Sequence, residues 1–294
     1  MKDFKNRVAV VTGAASGIGR GMVHNFVNAG MKVVLAGRNE ERLNNTVKSF
    51  KDSGADVIGV TTDVSQADQV ERLAQKTLEA FGEVHVLCNN AGVGFRYRNS
   101  WDVPLDAWNW IFSVNVMGVI NGIHTFIPIL LKQNSEAHIV NTSSLAGLIV
   151  NQTGIPYGVS KHAVVALSES LHTELLMKGI KIKVSVLCPG PVSTDIMYSS
   201  IRNRPNSLAP PPEPTAEEAL FFKAFGIWIE RGLDPNLVGR QVLDAIREER
   251  FYIITHDFND VINQRMQNIL DNKNPPVMPP PQDFLDIVEE LKRG

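Results

Sequence analysis

Val8-Ala9-Val10-Val11-Thr12-Gly13-Ala14-Ala15-Ser16-Gly17-Ile18-Gly19 is the stretch on which the reading of the fold turns. Residues 8–11 are apolar, three of the four are valine, and they predict a short buried strand. Glycines at 13, 17 and 19 then permit a tight turn and let backbone approach a bound group closely. From Gly17 the apolar spacing becomes helical and predicts a helix over 17–29. A strand that turns through glycines into a helix presents unpaired N–H groups and the positive end of the helix dipole to one point. At the first such junction of an alternating chain, this predicts a dinucleotide pyrophosphate cradle built from Gly13, Ser16, Gly17, Ile18 and Gly19.

Outward from that junction, short apolar runs at 32–36, 57–61, 84–88, 138–142 and 183–187 alternate with helical patterns. The helices are predicted over 40–51, 66–80, 105–131 and 157–177. Strands that short, separated by helices, form βαβ units. The fold class expected is therefore α/β: a doubly wound, Rossmann-type parallel sheet of about seven strands with helices on both faces. Ligands bind such a sheet at the carboxyl ends of its strands. The pattern loosens after Pro189. Residues 199–214, with Pro210-Pro211-Pro212, read as an irregular loop. Helices at 217–230 and 236–249, a last strand at 251–254, and helices at 257–271 and 284–292 follow. One domain over 1–255, with an insertion at about 196–235, and a C-terminal extension over 256–294 are expected.

The chain has 294 residues, of which 44% are hydrophobic and 20% charged, enough for a sizeable core. Its formal charge is −2, with none of the basic excess of a nucleic-acid binder. No apolar run approaches 18 residues, so no membrane partner is expected. Lys2, Lys5 and Arg7 ahead of an apolar stretch imitate a secretion leader, but that stretch dissolves into the glycine loop and meets Arg20. Two cysteines, Cys88 and Cys188, make no disulfide framework, and a cytoplasmic location is expected. The seven histidines show no metal-binding spacing, so no metal site is expected.

The end of the second strand selects the nucleotide. An acidic residue about 20 positions after the glycines would grip a ribose 2′-hydroxyl. Gly37 stands there instead, and Arg38 follows. An arginine can pair with a 2′-phosphate through a charge-assisted fork, which puts NADP(H) ahead of NAD(H). Asp63, after the third strand, reads either as an acceptor for an adenine amino group or as a helix cap. Tyr157 and Lys161 are four residues apart on one predicted helix face. An ammonium beside a phenol favours the phenolate and brings the tyrosine into range as a general acid or base.

With these residues in view, the chain resembles the short-chain dehydrogenase/reductase family, in its shorter single-domain branch. Thr12 to Gly19 matches the family's T-G-x-x-x-G-x-G motif, and Asn89-Asn90-Ala91-Gly92 matches N-N-A-G. Asn115, Ser144, Tyr157 and Lys161 match the catalytic tetrad in order, with Tyr157 to Lys161 carrying Y-x-x-x-K. Pro189-Gly190-Pro191-Val192-Ser193-Thr194 matches the P-G motif. The likeness spans roughly residues 5–255. Ser143 adjoins Ser144, and the choice between them rests on the 13-residue spacing from Ser144 to Tyr157.

The resemblance implies an oxidoreductase that interconverts a ketone and a secondary alcohol. Tyr157 would exchange the proton and Ser144 would hydrogen-bond the substrate oxygen. Lys161 would lower the tyrosine pKa and hold the nicotinamide ribose, and Asn115 would bind a water linking Lys161 to solvent. Asp63, Val64, Asn89, Ala91, Gly92, Pro189, Gly190, Val192 and Thr194, with Tyr157 and Lys161, would flank the cofactor. A homodimer or homotetramer is implied, paired through the helices over 105–131 and 157–177. Substrate choice would lie in the aromatic segment from about 196 to 235. There Phe221, Phe222, Phe225 and Trp228 read equally as cover for a bulky apolar substrate or as the inner face of a lid helix. Arg96 and Arg98, in the loop Gly94-Phe95-Arg96-Tyr97-Arg98, read as solvated charges or contacts to an acidic substrate, and Asn151 and Gln152 as pocket residues. A cofactor-binding regulatory protein of the same fold without turnover is the competing function.

Overall fold

The computed structural model describes residues 1–94, 99–150, 154–208, 210, 213–277 and 279–293. Its strands are β1 (Val8–Thr12), β2 (Lys32–Gly37), β3 (Val57–Thr61), β4 (Val86–Asn89), β5 (Ala137–Thr142), β6 (Ile182–Cys188) and β7 (Tyr252–Ile254). They form one 7-stranded sheet in the order β3-β2-β1-β4-β5-β6-β7, every pair parallel. The chain leaves β1 toward β2 and β3, then returns past β1 to β4. That reversal opens a crevice between the carboxyl ends of β1 and β4, where such sheets take ligands.

The helices are α1 (Gly17–Asn28), α2 (Glu40–Asp52), α3 (Ala67–Phe81), α4 (Leu105–Phe112), α5 (Gly118–Gln133), α6 (Ile155–Met177), α7 (Ile196–Arg202), α8 (Ala216–Glu230), α9 (Pro235–Glu248), α10 (Asn259–Leu270) and α11 (Gln282–Arg293). Alternate strand residues serve opposite faces, as the two-residue period requires. Ala9, Val11, Val33 and Leu35 join Met22, Phe26, Leu43, Val242 and Ile246 on the face covered by α1, α2 and α9. Val10, Val34, Leu87 and Ile139 join Leu73, Phe126, Leu130 and Leu171 on the face covered by α3, α5 and α6. Each large side chain buried this way contributes roughly 1.5–3 kcal/mol. Helices α1 and α9 meet backbone to backbone, and a Cβ at Gly21 would collide with the Pro235 carbonyl.

Two expectations change. The helix expected over 105–131 is α4 and α5 joined by a π-helical turn at Ser113–Met117. The joined run Leu105–Gln133 is long and apolar enough to cross a membrane by length and composition, and its buried side chains Phe126 and Leu130 pack on the sheet. The irregular loop expected over 199–214 begins inside α7. The C-terminal extension folds back, and α11 pairs with α8. Phe221 lies 5.0 Å and Trp228 6.0 Å, ring to ring, from Phe284. The Trp228 indole N–H donates to Asp283 at 2.7 Å, and Arg231 pairs with Glu290 at 2.9 Å. A Thr215–Glu218 capping box starts α8. Phe221, Phe225 and Trp228 of α8 line a helix–helix interface with α11. Residues 95–98, and with them Arg96 and Arg98, as well as Asn151 and Gln152, lie outside the described residues.

Candidate active site

Beyond β5 the chain turns sharply, and the Ser144 hydroxyl accepts the Ala146 N–H at 3.2 Å to cap a 3-10 turn at Leu145–Gly147. Helix α6 starts after Gly154, whose φ of 68° suits glycine, with Pro156 in its first turn. Its helical pitch puts Tyr157 and Lys161 on one face. The Ser144 hydroxyl stands close enough to the Tyr157 phenol to favour its ionisation. Lys161 Nζ lies 5.5 Å from the Tyr157 ring centroid and donates to the Thr142 carbonyl at 3.0 Å. The adjacent Ser143 serves another purpose, since its hydroxyl donates to the Lys161 carbonyl at 2.8 Å and ties α6 to the end of β5. Geometry therefore separates the two serines, and Ser144 faces the tyrosine.

The electrostatics differ from the simple expectation. Burial pushes the Tyr157 phenol above its ordinary value, and the nearby Ser144 hydroxyl offsets only part of that rise. Burial also brings the Lys161 ammonium down to about 8, against a small opposing effect from Cys188. The expected lowering of the tyrosine by Lys161 is thus outweighed in the protein alone. Both charged forms lose hydration on burial.

Asn115 occupies the middle of the π-helical turn. Its Oδ1 accepts the Val93 N–H at 2.8 Å, and its Nδ2 donates to the Val93 carbonyl and to Ser160 Oγ, both at 3.0 Å. The side chain thus pins the segment after Asn89-Asn90-Ala91-Gly92, and both of its N–H donors are engaged within the protein. Its expected role as a water holder gains no support from these contacts. A Cβ at Gly92 would lie 3.3 Å from Asn115 Oδ1 and 3.4 Å from Lys161 Nζ, so three distant motifs converge at that backbone.

The crevice between β1 and β4 is laced by Thr12. Its Oγ1 accepts the Asn90 N–H at 2.9 Å and the Ala91 N–H at 3.0 Å, and donates to the Cys88 carbonyl at 3.2 Å. Asn90 Nδ2 returns to the Thr12 carbonyl at 2.9 Å. Gly13 (φ 65°) sits so close to Ala91 that a Cβ would approach Ala91 Cα to 2.9 Å. Ser16, the N-cap of α1, caps no helix N–H with its hydroxyl, which leaves the donors of Gly17, Ile18 and Gly19 open for an anion. A Cβ at Gly17 would fall 2.9 Å from Thr194 Cγ2, so the Pro189–Thr194 segment closes over the glycine turn. That segment is braced from behind. Gly190 N–H donates to Thr255 Oγ1 at 3.1 Å, Leu145 N–H to the Pro189 carbonyl at 2.9 Å, and Val192 bridges to Leu233. Open helix donors behind a cradle that side chains would fill fit a dinucleotide.

Asn89 departs from its expected place beside the cofactor. Its side chain is buried under the sheet, where Nδ2 donates to Asn141 Oδ1 at 2.9 Å and Oδ1 faces Gly122. Strand alternation turns position 89 inward while Asn90 meets the crevice. Asp63 Oδ1 accepts from the Ser65 N–H at 3.0 Å and the Ser65 hydroxyl at 2.7 Å, and Oδ2 lies 3.9 Å from Arg38. The N-cap of α3 is Gln66, not Asp63. Val64 packs on Gly118 and its carbonyl accepts from Asn121 at 2.8 Å. The sequence reading gave no hydrogen-bonding role to Thr12, Asn90, Ser143, Ser160 or Thr255. Each acts through hydrogen bonds to residues far along the chain, and residue type and spacing do not announce such partners.

Residues 7–205 match the short chain dehydrogenase family. The CLA biosynthesis dehydrogenase/reductase of Lactiplantibacillus plantarum is 34% identical over 282 residues, covering 94% of this chain and 98% of that protein. A short chain dehydrogenase/reductase from Burkholderia phymatum, solved in complex with NAD, superposes with a TM-score of 0.91 at 42% identity, over 96% of this chain and 100% of the other. A variant of the actinorhodin polyketide ketoreductase solved with NADPH gives a TM-score of 0.72 at 29% identity, over 87% and 97%. The serine–tyrosine–lysine cluster, the glycine cradle and these likenesses coincide on one crevice, and the chain belongs to the short-chain dehydrogenase family as an oxidoreductase that uses a nicotinamide cofactor.

Proposed function

We propose that this protein interconverts a ketone and a secondary alcohol, with NADP(H) preferred over NAD(H). The observation that carries the reading is the convergence of Ser144, Tyr157 and Lys161, whose Nζ lies 5.5 Å from the tyrosine ring, beside the glycine cradle. A nicotinamide cofactor, when bound, supplies or accepts the hydride. Tyr157, kept protonated by burial, gives its proton to the carbonyl oxygen in reduction and takes it back in oxidation. Ser144 donates a hydrogen bond to that oxygen as it gains charge. Lys161 places a positive charge beside the phenol. Gly13, Ser16, Gly17, Ile18 and Gly19 hold the pyrophosphate, while Asp63, Val64, Ala91, Gly92, Pro189, Gly190, Val192 and Thr194 line the rest of the crevice.

Arg38 supports the nucleotide preference, because it follows β2 where an acidic residue would read a 2′-hydroxyl, and Arg42 lies one turn further on. For the substrate we propose a bulky apolar group. The exposed Tyr198 and Ile201 of α7 follow directly on the Pro189–Thr194 segment, whereas Phe221, Phe225 and Trp228 of α8 are taken up by α11. Two free, buried thiols fit a cytoplasmic location. The test is single-turnover absorbance at the nicotinamide band with aryl, bicyclic and steroidal ketones, using NADPH and NADH in parallel. Oxidation of NADPH by at least one ketone class is expected. Tight cofactor binding with no turnover across the panel would favour the regulatory reading instead.

A further inference from the structure

The arginines at the nucleotide end are already engaged. The Arg38 guanidinium donates to the Asn203 carbonyl at 2.9 Å and to Asn203 Oδ1 at 3.0 Å. Arg42, in the first turn of α2, pairs with Asp195 Oδ2 at 2.8 Å, and the same oxygen takes Arg202 at 2.6 Å. Asp195 immediately precedes α7 and Asn203 immediately follows it. Both ends of that helix are therefore fastened to the arginines that follow β2, one by a neutral amide and one by a carboxylate.

A 2′-phosphate carries about −1.5 to −2 charges and three strong acceptor oxygens, by analogy with other phosphomonoesters. It pairs with a guanidinium better than an amide does, and the Asp195 carboxylate repels it. A 2′-hydroxyl displaces neither partner. Within these ion pairs three arginines, Arg38, Arg42 and Arg202, face two carboxylates, Asp63 and Asp195. We propose that Asp195 and Asn203 are specificity-determining residues: they compete with the 2′-phosphate for Arg42 and Arg38, and so couple the choice between NADP(H) and NAD(H) to the hold on α7. This inference rests on the assignment of Arg38 to the 2′-phosphate made above.

Calorimetric titration of the oxidised nucleotides NADP+ and NAD+ into the wild type and into Asp195→Asn, Asn203→Ala and Arg38→Ala tests it without turnover. Asp195→Asn should tighten NADP+ binding about threefold to fivefold, the upper range for a partly exposed ion pair, and leave NAD+ unchanged. Asn203→Ala should act in the same direction, by about twofold, since one of its two hydrogen bonds to Arg38 comes from main chain and persists. Limited trypsin digestion of the wild type adds a readout that needs no variant. Cleavage after Arg202 should be faster with saturating NADP+ than with saturating NAD+. If Arg38→Ala lowers the NADP+ to NAD+ affinity ratio while Asp195→Asn and Asn203→Ala leave it unchanged, or if the two nucleotides protect Arg202 equally, the competition is refuted and the nucleotide assignment stands. An unchanged ratio in Arg38→Ala would overturn both.

Discussion

Lys161 is the buried cation on which the catalytic reading and the fold make opposite demands. Its side chain is 4% exposed, and burial holds its pKa at about 8 against an ordinary 10.5. Between those values the unfolded chain keeps the proton and the folded chain has released it. Stability therefore rises with pH across that window. At about 1.36 kcal/mol per pH unit, the full rise is ~3 kcal/mol. Lys161→Met keeps the shape of the side chain and removes the titration. Urea unfolding of both proteins, without nucleotide, at intervals from pH 7 to 10.5 isolates the effect, because other titrating groups cancel in the difference. The wild type should gain ~3 kcal/mol on the variant between pH 8 and 10.5, and nothing on it between pH 7 and 7.5. Below pH 8 the variant is relieved of the buried charge but leaves the Thr142 carbonyl without its donor, worth about 1–3 kcal/mol, so the two proteins should be of similar stability there. A difference that stays within about 0.5 kcal/mol over the whole range would refute the buried ammonium described here.

Tyr157→Phe should lower turnover by about 10²–10⁴-fold while nucleotide affinity stays nearly intact, and retention of more than about a tenth of the rate would remove Tyr157 from the proton-transfer role. Cys88 and Cys188 lie in β4 and β6 with β5 between them, which separates the strands by roughly 9–10 Å, beyond the ~7 Å Cα limit for a disulfide. Thiol titration of unreduced, denatured protein should find both free, and an intrachain disulfide by mass spectrometry would contradict the strand order. A homodimer or homotetramer is expected from the exposed Met117 and Leu131 along the α4–α5 run and Val159, Leu176 and Met177 on α6. Sedimentation showing only a 32.4 kDa species at micromolar concentration would count against it.

The parallel sheet, the glycine turn after β1 and the shared helix face of Tyr157 and Lys161 were legible in the sequence because each depends on neighbours in the chain. A two-residue or helical period, a glycine at a turn and a four-residue spacing on one helix are properties of contiguous residues. Partner choice between distant segments is of another kind, and folding decided it. Ser143 and Ser144 are the same residue type side by side. Only the docking of α6 sends one hydroxyl to the Lys161 carbonyl and sets the other beside Tyr157. Asn89 and Asn90 carry one motif, yet strand alternation buries the first against Asn141 and gives the second to Thr12. The α8 aromatics pair with a helix more than fifty residues further on, and Arg38 is met by Asn203, 165 residues away. Residue type limits what each of these side chains can bond, but hydrogen bonds and apolar contacts do not depend on sequence separation. The partner is whichever group the packed sheet and helices bring within reach.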